Sequence, residues 1–349
     1  MMRLAIWLHE AGQKVVVFVP QNHRMIPGLD EKGVPYILFR IRFKKFPFCE
    51  AFLLSQLIAK QGIGTLLTSL SYEIRLLTMV KLFAKNLKVI YFQQMQLGVP
   101  KKDFFHTIFY RNLDVWISPL EYLKQQVLAN TRIANHQIKV IPLCIDSSLF
   151  LDIKAKKSEL RKAWNLPSNE IIIGTIGRFD FHKDQITLIE AVGILKSKSI
   201  SIQVLFVGEE TFADKRQYAN QLKERIVALE MQDQFHFRPY TSKIEEAHAV
   251  LDVFVMSTQK ETFGMVTIEA MCSGTPVIGA NSGGTAELLE YGKNGILFEP
   301  NSPKDLADKI LLFLQNQNKY ELLADQSKNN MCTKYDKAIE IKEIIDLIE

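Results

Sequence analysis

Two glutamates and a group of glycines between residues 257 and 300 are the residues best suited to hold a ligand. Seven residues, including a Phe-Gly pair, separate Glu261 from Glu269, and Gly283 and Gly284 follow in the next loop. Carboxylates accept hydrogen bonds from ligand hydroxyls, and glycines let the backbone approach a ligand closely. This segment is therefore predicted to form one wall of a nucleotide-type site.

A second loop contributes positive charge. Gly174, Gly177, Arg178 and Lys183 lie between an apolar run and a predicted helix. Amides at a helix N-terminus, together with two cations, suit a diphosphate group. Lysine and arginine near the start of a helix are also common on solvated loops. From this loop alone, Arg178 and Lys183 either bind a diphosphate or are simply exposed to solvent.

The spacing of the two glutamates bears on what they can do. Along a helix the separation is about 12 Å, too far for a tight catalytic dyad. It suits an extended ligand, with a sugar at Glu261 and a ribose at Glu269. The amides of Phe263, Gly264 and Met265 are expected to point toward that ligand. The alternative, two surface charges on a helix, is disfavoured by the surrounding glycine loops.

The elements that must position these residues alternate along the chain. Short apolar runs rich in β-branched and aromatic residues alternate with helical patterns, which predicts βαβ units, mostly parallel sheets and an α/β fold. In such sheets ligands bind at the carboxyl ends of the strands. The predicted strands are residues 15–19, 36–40, 65–68, 89–92, 115–118, 140–143, 171–176, 203–207, 235–237, 253–256, 276–279 and 296–298.

Charge divides the chain into two parts. Residues 1–150 hold 19 Lys and Arg against 9 Asp and Glu, and the remainder holds 24 against 29. We predict two Rossmann-like domains, 1–150 and 151–330, facing across a cleft, with a helical tail over 331–349. The first domain starts with a predicted helix, not with a central strand and a glycine-rich turn. We expect the first domain to lack its first strand. The alternative is that its sheet starts in a different way from that of other doubly wound domains.

Composition narrows the class of protein. No apolar run reaches the roughly 18 residues of a membrane span, and the N-terminus does not resemble a signal peptide. Four scattered cysteines predict reduced thiols and a cytoplasmic location. No cluster has metal-ligand spacing, so no metal is expected. The basic first half predicts an anionic partner, such as a phospholipid surface or a phosphorylated molecule. No nucleic-acid partner is predicted.

The basic and aromatic stretch from Phe39 to Phe48 has two interpretations. It suits contact with anionic lipid head groups, which would place the protein at the inner face of a membrane. It also suits a half-buried strand that runs into a loop. His106, in a predicted amphipathic helix, is interpreted as a packed or solvated residue, not as a base.

The second half resembles the retaining glycosyltransferases of GT-B architecture, specifically glycosyltransferase family 4. The resemblance covers roughly residues 140–315. It rests on Gly177, Arg178 and Lys183, on Glu261 and Glu269 with Phe263-Gly264, on Ala270-Met271, on Gly274 with Pro276-Val277, and on Gly283-Gly284 with Glu287.

The resemblance implies a nucleotide-sugar donor held by the second domain. Arg178 and Lys183 would hold the diphosphate and stabilise the leaving nucleotide, Glu261 and the amides near Gly264 would bind the donor sugar, and Glu269 would bind the ribose. The cations and a helix dipole would replace a metal or other cofactor. The implied catalytic residues are Arg178, Lys183 and Glu261, and the implied donor-binding residues are Gly177, Phe263, Gly264, Met265 and Glu269.

The first domain departs from the family pattern. Many members carry a histidine after the strand at 89–92, where this chain has Gln93 and Gln94. Both glutamines are predicted as possible sugar contacts that cannot act as bases. The acceptor, expected to be a sugar, a lipid-linked molecule or a phosphorylated molecule, would bind in this domain.

Three hypotheses follow. The first is an enzyme that transfers a sugar from a nucleotide-sugar to an acceptor with retention at the anomeric carbon, without a metal. The second is a truncated or inactive relative that binds a nucleotide-sugar without turnover. The third, a nucleotide-sugar epimerase of similar architecture, is disfavoured because the context of the two glutamates fits transferases better.

Overall fold

The chain forms two compact units. The computed structural model describes residues 1–41, 47–210 and 217–349. The first unit comprises Met1–Leu143 and Lys337–Glu349, and the second comprises Cys144–Asp336. The units therefore divide seven residues before the predicted boundary at 150, and the last helix belongs with the first unit, not with a separate tail that starts at 331.

The first unit alternates helices and short strands. Helix α1 (Met2–Glu10) comes first, as predicted, and helix α15 (Lys337–Ile348) returns to this unit. The elements between them are β1 (Val17–Val19), α2 (Ile26–Glu31), β2 (Tyr36–Leu38), α3 (Phe48–Gln61), β3 (Thr65–Thr68), α4 (Ile74–Val80), β4 (Lys88–Phe92), α5 (Phe104–Arg111), β5 (Val115–Ser118), α6 (Glu121–Asn130) and β6 (Ile138–Val140).

All strand pairs of the first unit are parallel within the described chain. Strands β3, β4, β5 and β6 form one sheet in that order, and β1 pairs with β2. No pairing within the described residues joins β1 to β3. The strand predicted at 140–143 is wrong in position, because it lies at Ile138–Val140 and Pro142 has no N–H with which to continue the ladder.

Helix α15 belongs to the first unit because of its apolar face. Ile344 is fully buried in a cluster with Leu4 and Leu8 of α1 and with Ile90 and Ile117 of the sheet. Burial of side chains of this size contributes about 1.5–3 kcal/mol each. The last helix therefore completes the core of the first unit, although nearly two hundred residues of the second unit precede it in the chain.

The second unit is a single parallel sheet with helices between its strands. Its six strands are β7 (Ile172–Ile176), β8 (Gln203–Val207), β9 (Phe235–Arg238), β10 (Val253–Met256), β11 (Val277–Ala280) and β12 (Ile296–Phe298). Its helices are α7 (Lys157–Ala163), α8 (Gln185–Ser197), α9 (Gln217–Ala228), α10 (Ile244–Ala249), α11 (Met265–Cys272), α12 (Gly283–Leu288), α13 (Pro303–Gln315) and α14 (Gln317–Lys334). The predicted α/β class with parallel sheets is confirmed in both units.

Strand order places a switch point in the middle of this sheet. The order is β12-β11-β10-β7-β8-β9, so the chain leaves β7 toward β8 and β9 and then returns to the other side of β7 at β10. Every residue of β7, β8, β10 and β11 is buried, as expected for parallel strands covered on both faces. Ligands of open α/β sheets bind where the strand order reverses, beyond the carboxyl ends of the strands.

Among the helices of the described residues, none is long and apolar enough to cross a bilayer.

Candidate active site

Three neighbouring strands bring the predicted site residues to one edge of the second sheet. Arg178 and Lys183 follow β7, Glu261 follows β10, and Gly283 begins the helix after β11. Strands β11, β10 and β7 are consecutive in the sheet, and all run parallel. Their carboxyl ends therefore present these three loops side by side at the switch point, which no spacing along the sequence reveals.

The loop after β7 requires two glycines. Gly177 has φ +148°, and a Cβ at Gly208, after β8, would lie 1.9 Å from the carbonyl oxygen of Gly177. That distance excludes any side chain at Gly208, so the two backbones meet directly. The sequence prediction included Gly177 and missed Gly208. The signal was the position of Gly208 immediately after a fully buried apolar strand.

An aspartate shapes the cationic loop. The Asp180 carboxylate accepts hydrogen bonds from the amides of His182 and Lys183, at 3.0 and 3.2 Å. The Arg178 guanidinium lies 3.4 Å from the same carboxylate, and its side chain is 64% exposed. Gln185 fixes the backbone by donating to the Arg178 carbonyl at 2.8 Å. The loop is held from within while the Arg178 side chain extends into solvent.

Lys183 and Glu261 meet directly. Lys183 Nζ donates to Glu261 Oε2 at 2.7 Å, and the two side chains are 25% and 13% exposed. They are 78 positions apart in the chain and meet because β7 and β10 are neighbours in the sheet. A diphosphate bound here would compete with Glu261 for the Lys183 ammonium, and would leave the carboxylate able to accept from a sugar hydroxyl.

The backbone of Lys183 is also tied to the β10 loop. Ser257 Oγ donates to the Lys183 carbonyl at 2.9 Å, and Gln259 Nε2 donates to the Asp184 carboxylate at 3.3 Å. Burial raises the pKa of the Asp184 carboxyl, because its charged form loses solvation. These contacts hold the Lys183 backbone in place independently of its own side chain.

Gly264 forms the turn between Glu261 and helix α11. Its φ of +99° lies in the left-handed region, and it is the residue immediately before the helix. The Glu261 carbonyl accepts from the Gly284 amide at 2.9 Å, which joins this turn to the start of α12. Met265 is the first residue of α11. The Phe263 ring is 3% exposed and packs against Tyr335, so of Phe263 only the backbone is placed to serve a ligand.

The distance between Glu261 and Glu269 predicted from the rise of one helix does not hold in the structure. Helix α11 begins at Met265, so Glu261 lies in the preceding loop and the helical estimate of its distance from Glu269 does not apply. Glu269 Oε2 lies 3.6 Å from Nε2 of His248, a fully buried residue of α10. Among the described residues, this oxygen and both ring nitrogens of His248 have no hydrogen-bond partner.

His248 was missed by sequence reasoning. It belongs to no motif, and an isolated histidine before an apolar strand gives no signal of its own. Its ring lies 5.2 Å from the ring of Phe254, in an edge-to-face arrangement. The buried polar atoms of His248 and Glu269 are the kind of unsatisfied groups that a bound ligand or water completes.

Gln93 has a role inside the first unit, not at a ligand. It is fully buried, and its Oε1 accepts from Trp116 Nε1 and Ser118 Oγ at 3.1 and 3.0 Å. Its Nε2 donates to the Met95 carbonyl at 3.0 Å. The prediction that Gln93 contacts a sugar is wrong for this structure, because its amide is committed to β5 and to the loop after β4. Gln94 is exposed and stays a predicted contact.

The basic centre of the stretch from Phe39 to Phe48, residues 42–46, lies outside the described residues.

Comparison with known proteins identifies the family. The family model described as glycosyl transferases group 1 matches residues 156–330, half of the chain. The chain belongs to this family. The matched residues include the loops after β7, β10 and β11, and helix α11 with Glu269. The candidate site of this glycosyltransferase-family chain therefore lies within the part that matches the family. The predicted resemblance to GT-B glycosyltransferases is confirmed, and the retaining mechanism stays a prediction.

Individual relatives are distant. Mannosylfructose-phosphate synthase of Agrobacterium fabrum is 26% identical over 222 residues, which are 62% of this chain and 48% of that protein. The chain spans about half the length of the curated relatives it matches.

Solved structures confirm the fold class. A glycosyltransferase from Rickettsia africae ESF-5 has a TM-score of 0.88 at 19% identity, covering 99% of this chain and 93% of that one. Anabaena Alr3699/HepE in complex with UDP has a TM-score of 0.86 at 18% identity, covering 99% and 94%. The fold is that of GT-B glycosyltransferases, with two Rossmann-like domains.

Proposed function

We propose that this protein transfers a sugar from a nucleotide-sugar donor to an acceptor, with retention at the anomeric carbon and without a metal. The second unit would bind the donor and the first unit the acceptor. The observation that carries the proposal is the 2.7 Å pair of Lys183 and Glu261 at the switch point of the second sheet, where the loop of Lys183 also carries Arg178. One cationic loop and one acidic loop converge there, as a sugar diphosphate requires.

The cations have a clear task in this chemistry. Transfer breaks the bond between the anomeric carbon and a phosphate oxygen, and negative charge grows on the departing diphosphate. Lys183 and Arg178 would stabilise that charge more in the transition state than in the ground state. With two positive side chains in this position, no metal is needed to neutralise the leaving group. Retention means that the new bond forms on the face from which the nucleotide departs.

The two carboxylates would orient the donor. Glu261, released from Lys183 by the diphosphate, would accept from a hydroxyl of the donor sugar, aided by the amides at Gly264 and Met265. Glu269, held beside His248, would accept from the ribose hydroxyls. The Glu269 side chain is 14% exposed, so the ribose would reach the oxygen that does not face His248.

Relatives support a nucleotide-sugar donor. A chain of the same fold is described in complex with UDP, and a curated relative is named for a phosphorylated sugar product. These names favour testing uridine nucleotides first and including phosphorylated acceptors.

The test is to measure nucleoside diphosphate release from UDP-glucose, GDP-mannose and ADP-glucose. Acceptors would be a hexose 6-phosphate panel and vesicles that contain a lipid-linked phosphate, each with and without EDTA. We expect one donor to be consumed only with acceptor, at a rate that EDTA does not change, and to give a product of unchanged anomeric configuration. Inversion, loss of the rate in EDTA, or no turnover with any pair would contradict the corresponding part of the proposal.

One observation favours a second candidate, a protein that binds a nucleotide-sugar without turnover. Within the described residues, β1 and β2 of the first unit are not paired with the sheet formed by β3 to β6. A divided sheet would position an acceptor less firmly than a continuous one. Thermal melting with UDP, GDP, ADP and their sugar conjugates separates the two candidates, because a binding protein would be stabilised by one nucleotide class and yet release no nucleoside diphosphate.

A further inference from the structure

Two of the four cysteines lie together on helices of the second unit. Cys272 is the last residue of α11, the helix that carries Glu269, and Cys332 lies in the last turn of α14. The Cys332 thiol donates to the Cys272 carbonyl at 3.5 Å, and the two thiols also share a hydrogen bond. Both side chains are buried, at 6% and 0% exposed, and neither is in a disulfide. We call these two residues the thiol pair.

The segment around α11 packs against α14 at two places. Gly274, just after α11, has φ +73°, and a Cβ there would lie 3.1 Å from Oδ1 of Asp325 and 3.5 Å from Cδ of Lys328, both on α14. Phe263, two residues before α11, packs its ring against that of Tyr335, the residue after α14, with 6.4 Å between the ring centroids. Helix α14 and the residue after it therefore contact both the end of α11 and the turn that leads into it.

Two thiols in contact suit a metal, a disulfide or simple packing. Within residues 1–41, 47–210 and 217–349, no group of three or more His, Cys, Asp or Glu could hold a metal ion, so the thiol pair lacks the further ligands that a structural metal site needs. A buried cysteine packs as a small apolar residue, but packing alone does not require two thiols on different helices to hydrogen-bond each other. The chemistry that specifically needs two adjacent thiols is disulfide formation.

The two thiols are not equivalent. The hydrogen bond from Cys272 lowers the pKa of the Cys332 thiol against the opposing effect of burial, and the Lys328 ammonium lowers this pKa further. The same hydrogen bond, together with burial, raises the pKa of the Cys272 thiol. Because the thiolate is the reactive form of cysteine, Cys332 is placed to react first with an oxidant. It is also the more exposed of the two.

We propose that the thiol pair is a site of reversible oxidation, at which hydrogen peroxide joins Cys272 to Cys332 in a disulfide that weakens nucleotide binding. The effect on nucleotide binding rests on the proposed function, whereas the formation of the cross-link does not. A small oxidant is required because both thiols are buried. A dithiol reverses the reaction by thiol–disulfide exchange.

The oxidation proceeds in two steps. The Cys332 thiolate attacks one oxygen of hydrogen peroxide, so that an S–O bond forms, the O–O bond breaks, and the departing hydroxide takes up the proton lost by the thiol and becomes water. The Cys272 sulfur then attacks the sulfenic acid on Cys332: the S–S bond forms, the S–O bond breaks, and the departing hydroxide takes the Cys272 proton. In sum, two thiols are oxidised and one peroxide is reduced to two waters.

The cross-link acts on the donor site through α11. Bonded sulfurs lie about 2.05 Å apart, closer than hydrogen-bonded ones, so the ends of α11 and α14 must move toward each other. Cys272 follows Glu269 by three residues, a spacing at which side chains are neighbours on a helix. Because the interior is close-packed, the movement reaches Glu269 along α11, and Phe263 through Tyr335. We expect nucleotide affinity to fall by about ten-fold, the lower end of the effect of losing a hydrogen bond to a charged group.

The first experiment detects the cross-link. The chain carries Cys49→Ser, because Cys49 is exposed and would join molecules to each other. Of the four cysteines three then remain, so the reduced chain should show three thiols in denaturant and the peroxide-treated chain one. Peptide mapping should find Cys272 joined to Cys332, and dithiothreitol should restore all three thiols. Three thiols after peroxide treatment, or a cross-link that involves Cys144, would overturn the inference.

The order of the two steps is tested with dimedone, which traps sulfenic acids. After peroxide treatment, Cys272→Ala should carry the adduct on Cys332, and Cys332→Ala should carry none on Cys272. The matched control Cys144→Ala, altered at a third buried cysteine, should still form the cross-link. Cooperative melting of each reduced variant shows that folding is retained, and the mapping in the Cys49→Ser chain needs none of these variants. An adduct on Cys272 in Cys332→Ala, with none on Cys332 in Cys272→Ala, would overturn the assigned order.

The second experiment measures the affinity of the reduced and the cross-linked Cys49→Ser chain for UDP, GDP and ADP by calorimetry. The nucleotide that binds should bind the cross-linked chain about ten-fold more weakly, and dithiothreitol should restore its affinity. Peroxide should leave the affinity of Cys49→Ser/Cys332→Ala unchanged, which separates the cross-link from other oxidation. Equal affinity before and after cross-linking would overturn the effect on binding.

The two proposals can fail separately. A mapped cross-link in a chain that binds none of the three nucleotides would contradict the proposed function and leave the oxidation site standing. Nucleotide binding and sugar transfer by a chain that keeps all its thiols in peroxide would support the proposed function and overturn the inference.

Discussion

Two groups of charged residues stand at opposite ends of the same two strands. At the amino ends of β7 and β10, Asp252 is bound by Arg161 at 2.7 Å, by Lys157 at 2.5 Å and by the Ile172 amide at 2.7 Å. At the carboxyl ends lies the pair of Lys183 with Glu261, next to the loop that carries Arg178. In the first group Arg161 and Asp252 are buried and hydrogen-bonded within the protein, whereas in the second the Arg178 side chain is 64% exposed.

The difference separates a structural role from a binding role. Arg161 also donates to three backbone carbonyls, those of Val250, Ser168 and Glu170, and so joins α7 to the sheet. Every hydrogen bond there is supplied by the protein. At the other end, the protein holds the Lys183 backbone firmly while the Arg178 side chain extends into solvent, where an anionic ligand adds hydrogen bonds.

The largest effect on stability is expected for Asp252→Ala. The substitution leaves Arg161 and Lys157 buried without their common partner, which costs about 3–5 kcal/mol in the free energy of unfolding. Urea unfolding followed by circular dichroism measures it, and nucleotide affinity of the folded protein should be retained. The surface control Asp308→Ala, whose partner Lys198 is half exposed, should change stability by less than about 0.5 kcal/mol. If Asp252→Ala abolished nucleotide binding and left stability unchanged, the Asp252 group would have the binding role and not the structural one.

Lys183→Ala tests the opposite end. We expect turnover to fall by about 10²–10³-fold, as for removal of one donor that stabilises transition-state charge, with little change in melting temperature. The backbone contacts of Ser257 and Gln259 keep the loop in place when the side chain is removed. Lys198→Ala, an exposed lysine just after α8, is the matched control. Turnover near that of the unaltered chain would remove Lys183 from the mechanism.

Glu269→Ala addresses the proposed ribose contact. Loss of a hydrogen bond to a charged acceptor corresponds to about 1.5–3 kcal/mol, so the affinity for the nucleoside diphosphate should fall by about 10–100-fold. The sharper readout is a nucleotide that lacks both ribose hydroxyls, which should bind the variant and the unaltered chain with similar affinity. If the variant discriminates between the two nucleotides as well as the unaltered chain does, the ribose assignment is wrong.

The smallest effect is expected for His248→Phe. A second aromatic ring against Phe254 keeps the packing and removes only the nitrogens beside the Glu269 carboxylate. We expect nucleotide affinity to fall by a few-fold, about 1 kcal/mol or less, with turnover at saturation unchanged. In the Glu269→Ala background the same substitution should have no further effect on affinity, since the two residues act as a unit. An effect of full size in that background would show that His248 contributes by packing alone.

Much of this fold could be predicted, and the reason is local. The strands at 65–68, 115–118, 203–207, 253–256 and 296–298 have the bounds that the apolar runs predicted. Arg178, Lys183, Glu261 and Glu269 were selected from motifs, and Lys183 meets Glu261 because motifs that follow parallel strands share one sheet edge.

The remainder depends on contacts between distant parts of the chain. Gln93 looked available for a ligand, and only its pairing with Trp116 and Ser118 of β5 shows that its amide serves the core. His248 gains significance from a carboxylate on another helix. The last helix joined the first unit through apolar contacts made across nearly two hundred intervening residues. Spacing along the sequence carries none of this information.

The most direct test of the account is a calorimetric comparison of nucleotide binding by the unaltered chain and by Lys183→Ala. UDP, GDP and ADP are titrated first, and the one that binds is then compared with its own nucleoside. We expect the diphosphate to bind the unaltered chain much more tightly than the nucleoside does. Lys183→Ala should remove most of this difference while nucleoside affinity is unchanged. Equal diphosphate affinity for the two proteins would show that the Lys183 loop does not hold the diphosphate, and would contradict the account at its centre.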